Sequence, residues 1–322
     1  MKYTMMARFK IIFLMLAICQ TSLPITLVYS MKIRRAFAQA RQLLGKENRA
    51  IWVLSALPIA YSRKRHFYQS APHVNIREKR LVLGSIFNVR CIPSDLLWFE
   101  LTTALENERS HAKGVSDSPI LPLISASYTG FDDIVLSGGF NLYPTEKVQL
   151  VFYGIAGFPT HTKISARDAL GTFVGTRFLS AGAGSEFSYS FITSLMRSLV
   201  GIFQNRYIHY FSRNWSPVLP CCSTIQPGDL VDLLFAIKFR EKREMFETGY
   251  NPTFFLNQSV KTPATGKVKS KDFVRNGCYA TYSHLFDHLK HPVILGAGFS
   301  FNKAKVLDSR IFSGWLNFTV IF

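Results

Sequence analysis

Residues 229–240 of this 322-residue chain read DLVDLLFAIKFR. Val231, Leu233, Phe235, Ile237 and Phe239 share one parity, and Asp232, Leu234, Ala236, Lys238 and Arg240 share the other. A period of two marks a strand with two unlike faces. The pattern recurs at 81–91, 96–107, 120–129, 133–142, 147–158, 176–192, 198–212, 229–240, 244–256, 276–287, 292–302 and 309–322. Most of these twelve runs are about 9–14 residues long, the length a tilted strand needs to cross a bilayer.

The chemistry of the two faces narrows the fold further. In 176–192, Leu179, Ala181, Ala183, Phe187, Tyr189 and Phe191 oppose Ser180, Gly182, Gly184, Glu186, Ser188 and Ser190. In 292–302, Val293, Leu295, Ala297, Phe299 and Phe301 oppose Gly296, Gly298, Ser300 and Asn302. A soluble β-sandwich also alternates, but its polar face meets bulk water and is rich in Lys, Glu and Thr. Here the polar face is Gly and Ser with a few charges, which suits the lumen of a barrel whose greasy face meets lipid. Only 18% of residues are charged, and 28 are Phe. After residue 30 no apolar run is long enough for a membrane-spanning helix. The expected fold is therefore all-β: a transmembrane, antiparallel, up-and-down barrel of about 12 strands, within a range of 10–14.

Connection lengths agree. With the last strand descending, the outer connections are 303–308, 257–275, 213–228, 159–175, 130–132 and 92–95. The inner ones are 288–291, 241–243, 193–197, 143–146 and 108–119. Barrels of this kind have long outer loops and short inner turns. Residues 108–119 are the exception.

The formal charge of +18 resolves into +3 on residues 1–30, +11 on residues 31–90 and +4 on residues 91–322. A body this balanced offers no basic nucleic-acid groove, so no nucleic acid is expected as a partner. Residues 1–30 have the basic, apolar and small-residue segments of a signal peptide, ending at Ser30. Residues 31–79 form either a basic N-terminal arm or plug, or an extended targeting segment with 50–62 as its apolar part. The barrel domain is placed at 80–322.

The chain ends SGWLNFTVIF, with Leu316, Phe318, Val320 and Phe322 on alternate positions. This ending resembles that of bacterial outer-membrane β-barrel proteins. The stretch 153–191, a strand followed by a long loop and a Gly-rich strand, is similar to a unit of porin-like barrels. The resemblance implies an outer-membrane location, with membrane lipid and small solutes as partners. It also implies that barrel-insertion machinery reads the C-terminal motif.

Glu100, Glu186, Arg206, Asp232, Lys238 and Arg240 are the candidate lumen charges. They either set a field across an open pore or pair into a plug. No cofactor motif, CxxC or GxSxG occurs. HLFDHLKH places His284, Asp287, His288 and His291 at a strand end and inner turn, where they scatter rather than share a metal-binding face. The basic loop 259–277 is expected to be solvated. Cys221 or Cys222 either bridges to Cys91 or Cys278 or stays free. The expected function is passive, porin-like diffusion of small solutes, with no catalytic residues. The alternatives are an outer-membrane enzyme acting on lipid, with His161 or His209 as base, or a barrel whose outer loops bind a partner.

Overall fold

The computed structural model describes residues 50–69, 74–116, 124–160, 178–194, 197–214, 224–262, 266–269, 272–304 and 309–322. The expected signal peptide at 1–30 lies outside them. All regular structure among the described residues is β-strand. The wall is built from β1 (Ile51–Gln69), β2 (Val74–Ile92), β3 (Leu97–Ser116), β4 (Ile124–Phe131), β5 (Ile134–Thr145), β6 (Val148–Phe158), β7 (Ser180–Thr193) and β8 (Arg197–Tyr210). It continues through β11 (Asp229–Glu241), β12 (Glu244–Leu256), β15 (Phe273–Phe286), β16 (Val293–Ala304) and β17 (Ser309–Ile321). The short strands β9 (Arg213–Asn214), β10 (Thr224–Gln226), β13 (Ser259–Thr262) and β14 (Gly266–Lys269) form a separate four-stranded sheet at the outer end.

Every wall strand pairs antiparallel with its neighbours, and β1 pairs with both β2 and β17, so the sheet closes. β4 and β5 both pair with β3 and act as one interrupted strand, which makes a twelve-strand barrel. Closure leaves no unpaired edge in the hydrocarbon region. At the seam Trp52 N donates to Phe322 O (3.3 Å) and Phe322 N donates to Trp52 O (2.9 Å).

The strand count matches the sequence expectation, but two of its members differ. The runs 120–129 and 133–142 are one wall strand, broken at Asp132–Asp133. There Asp132 N bonds Ala104 O (2.7 Å) and the Asp132 carboxylate takes the Asp133 amide (2.7 Å). Two acidic residues in sequence look like a turn; in the wall they form a bulge that shifts the register on β3 by one residue. The twelfth strand is β1, drawn from the stretch expected to be an arm. The barrel thus begins at Ile51 rather than residue 80. Every residue from Ile51 to Leu54 is apolar because their inner parity packs on a buried cluster in the lumen and their outer parity meets lipid. A strand with two apolar faces shows no alternation and resembles a signal segment. With β1 included, 92–95 becomes an inner turn and 108–119 an outer end, so the exception to the loop rule disappears.

Outward positions form the lipid-facing band. Phe299, Phe312 and Leu316 are 60% exposed or more, and Phe318 and Phe322 are also exposed. No described helix is long and apolar enough to cross a membrane.

Pro252 sits in β12 opposite Leu233, where it cannot donate to the ladder. The neighbouring Asn251 side chain replaces it, donating to Leu233 O at 2.8 Å. Asn251→Ala leaves that buried carbonyl without its donor and is expected to cost about 1–3 kcal/mol. The check is the temperature at which the compact, unheated gel band converts to the unfolded one.

Candidate functional site

The lumen is the site that the sheet assembles. Strand alternation turns one side chain in two inward, and the strand register decides which of them meet. Arg206, Asp232, Thr253 and Arg275 are cross-strand neighbours on β8, β11, β12 and β15. Arg206 Nη2 donates to Asp232 Oδ2 at 3.0 Å. The Thr253 hydroxyl donates to Asp232 Oδ1, Asn251 Nδ2 reaches the same oxygen at 3.4 Å, and Arg275 Nη2 reaches Thr253 Oγ1 at 3.4 Å. One carboxylate thus collects donors from two strands and, through Thr253, is linked to a third.

On the far side, Arg90 of β2 is paired with Glu100 of β3. The Arg90 guanidinium also lies 4.6 Å from the centre of the Trp98 ring. Asn88 donates to Thr102 Oγ1 at 3.0 Å one step along. Glu186 of β7 is also buried on the inward face and accepts from Ser188 Oγ at 2.9 Å. Tyr279 OH donates to Glu247 Oε1 at 2.9 Å, and Gln204 Nε2 donates to Tyr153 OH at 2.7 Å. Arg90, Glu186, Arg206 and Asp232 are each 4% exposed or less, so packed side chains narrow the lumen here, and Glu247, also buried, lies nearer the inner mouth opposite Lys238.

Four inward rings lie against glycines of adjacent strands: Trp98 on Gly139, Tyr153 on Gly184, Tyr279 on Gly249 and Trp315 on Gly298. A Cβ at any of these glycines would collide with the ring. The Gly-rich inner faces are therefore seats for large side chains that project from neighbouring strands. Around them run two apolar clusters, one including Ile51, Val53, Trp98, Val151, Tyr153 and Ile208, the other Leu57, Ile86, Leu234, Tyr279 and Trp315.

Of the six lumen charges proposed from sequence, Glu100, Glu186, Arg206 and Asp232 lie in this buried polar layer. Lys238 and Arg240 share its parity on β11 but sit half-buried at the inner mouth, where Arg240 Nε donates to Lys242 O at 2.9 Å. Parity alone would have found Arg90 and Glu247 inside their runs. Arg275 lay one residue outside its run. The C-terminal residues Leu316, Phe318, Val320 and Phe322 alternate with the inward Trp315, Asn317, Thr319 and Ile321.

The remaining candidates are dispersed. His209 Nδ1 is 2.7 Å from Asp229 Oδ1 on the outer rim, and Asn257 Nδ2 also donates to Asp229 (3.0 Å). His209 also packs edge-on against the Phe211 ring, with centroids 5.1 Å apart. His161, Cys221 and Cys222 lie outside the described residues. Cys91 and Cys278 are unbridged, with Cys278 exposed. His284 bonds Glu244 (2.6 Å), Asp287 pairs with Arg243 (2.7 Å) and His291 packs on Phe322 (4.9 Å). Among the described residues no group of three His, Cys, Asp or Glu is placed to hold a metal. The basic loop is not wholly irregular: 259–269 contains the β13–β14 hairpin, and β15 begins at Phe273.

No family model matches the chain, and no curated protein matches its sequence. Its fold is similar to that of an outer membrane channel from Pseudomonas putida F1, with a TM-score of 0.58 at 10% identity, covering 85% of this chain and 96% of that one. This is the fold of an outer-membrane β-barrel. The transport unit of the autotransporter AIDA-I from Escherichia coli also aligns, with a TM-score of 0.46 at 9% identity over 89% of this chain and 97% of that one. Barrels of this fold turn their short connections to the periplasm; here that end holds the Trp52–Phe322 seam, and the β9–β10–β13–β14 sheet stands at the opposite end.

Proposed function

We propose that this outer-membrane barrel is a channel for small solutes, with a lumen narrowed by the Arg90–Glu100 and Arg206–Asp232 pairs. The observation that supports it is the polarity of a buried interior. Burying ion pairs adds little stability, and apolar side chains of similar volume do at least as well. Here a polar layer of acids, arginines, amides and hydroxyls reaches from β2–β3 to β8–β15 inside an apolar outer wall. Such a layer exchanges hydrogen bonds with water and with polar solutes, and its mixed signs favour neither cations nor anions strongly.

The test is single-channel conductance of the full chain refolded into planar bilayers. The wild type is expected to give small steps. Arg90→Ala/Glu100→Ala removes both partners, keeps the net charge and widens the constriction, so its steps should be at least about twofold larger, because conductance follows the free bore. Heat-modifiable, folded protein with no steps in either form would overturn the channel.

A further inference from the structure

The barrel carries an exposed basic row on its outer rim that the lumen does not use. Lys303 of β16, Arg310 of β17, Lys64 of β1 and Lys79 of β2 are directly opposite one another in successive pairings. All four side chains are exposed. Four adjacent strands set the row at about 14 Å long, from a strand spacing of ~4.8 Å. Arg109 of β3, also exposed, extends it one step lower, opposite Leu81. Two residues below the row, Phe312 and Leu81 are exposed on the same outward face, in the lipid band.

The row is all of one sign. On the described outward positions of these five strands there is no Asp or Glu; Glu100, Glu106 and Glu108 of β3 all point inward and are buried. The arc is also local, since the outward rim on β8 and β11 carries the His209–Asp229 pair instead. Like charges directly opposite each other in a sheet repel.

We infer that this row binds phosphate-bearing headgroups of outer-leaflet lipid. The complementary ligand must be anionic at the level of Lys64, Lys79, Lys303 and Arg310 and hydrocarbon just below, against Phe312 and Leu81. An acylated, phosphorylated amphiphile has that shape. Basic residues near an anionic lipid surface each add attraction that salt screens. The inference depends on the outward faces and the outer end of the barrel, and is independent of whether the lumen conducts.

The experiment is native mass spectrometry of the full chain refolded in detergent and titrated with diphosphorylated lipid A. The control lipid is the same molecule with its phosphates removed enzymatically. The wild type should retain the phosphorylated lipid, and retention should fall as salt rises. Lys64→Gln/Lys79→Gln/Lys303→Gln/Arg310→Gln should raise the half-saturating concentration at least about tenfold, since each removed charge weakens attraction to the anionic surface. Lys64→Gln/Lys79→Gln, which disturbs the wall less, should shift it in the same direction. Lys242→Gln/Lys290→Gln, at the periplasmic end, should leave it unchanged. Equal retention of the dephosphorylated lipid, or equal retention by the rim variants and the wild type, overturns the inference. So does a wild type that retains no lipid but dimerises through these residues. Conductance steps in the rim variants separate this result from failure of the channel.

Discussion

Asp232→Ala is expected to lower the stability of the barrel by about 3–5 kcal/mol, the usual result of removing one partner of a buried ion pair. Asp232 is 3% exposed and accepts hydrogen bonds from Arg206, Thr253 and Asn251. Its charge also acts on Arg275. Without it two arginines face a constricted lumen with their nearest carboxylate gone. The loss is mainly the penalty of the stranded cations and not the strength of the pair itself. Arg206→Met on the Asp232→Ala background should therefore recover a large part of the loss, because one stranded cation is replaced by an apolar chain of similar length. Thermal conversion of the compact gel band, measured for wild type, both single variants and the double, gives the coupling. Additive losses would show that the pair is not a unit.

Gly184→Ala should be nearly as damaging, at about 2–3 kcal/mol, which is large for one methyl group. The Tyr153 ring occupies the space a Cβ would need. Tyr153 is buried and tied to Gln204 by a 2.7 Å hydrogen bond, so the ring cannot move aside without breaking that bond. Gly154→Ala is the matched control. It lies one strand away on the lipid face, and the nearest atom to its added Cβ is Gly182 O at 4.0 Å. A surface change of this kind should stay within about 0.5 kcal/mol. Equal losses at the two positions would mean that glycine acts here through strand flexibility, and that the ring seat is unimportant.

The alternation in residues 229–240 and 292–302 was enough to place both strands in a lipid-facing wall, because a period of two with lipid on one side permits only one inward face. The same parity set Glu100, Glu186, Arg206 and Asp232 in the lumen. It could not tell that Arg206 meets Asp232, since partner choice belongs to the register between β8 and β11. Nor could it tell that Arg90 would answer Glu100 across a turn that had been assigned to the outer side.

By itself, then, the chain's periodicity determined the class of fold and the orientation of its faces. These are local properties, written into every strand by the pleat. Tertiary structure decided the rest. Closure recruited Ile51–Gln69, whose opening residues Ile51–Leu54 are apolar on both faces and hide the period, as the edge partner of β17. Closure also set Lys64 and Lys79 beside Lys303 and Arg310, residues from opposite ends of the chain. A strand specifies which way its side chains point; only the pairing of strands specifies what they point at.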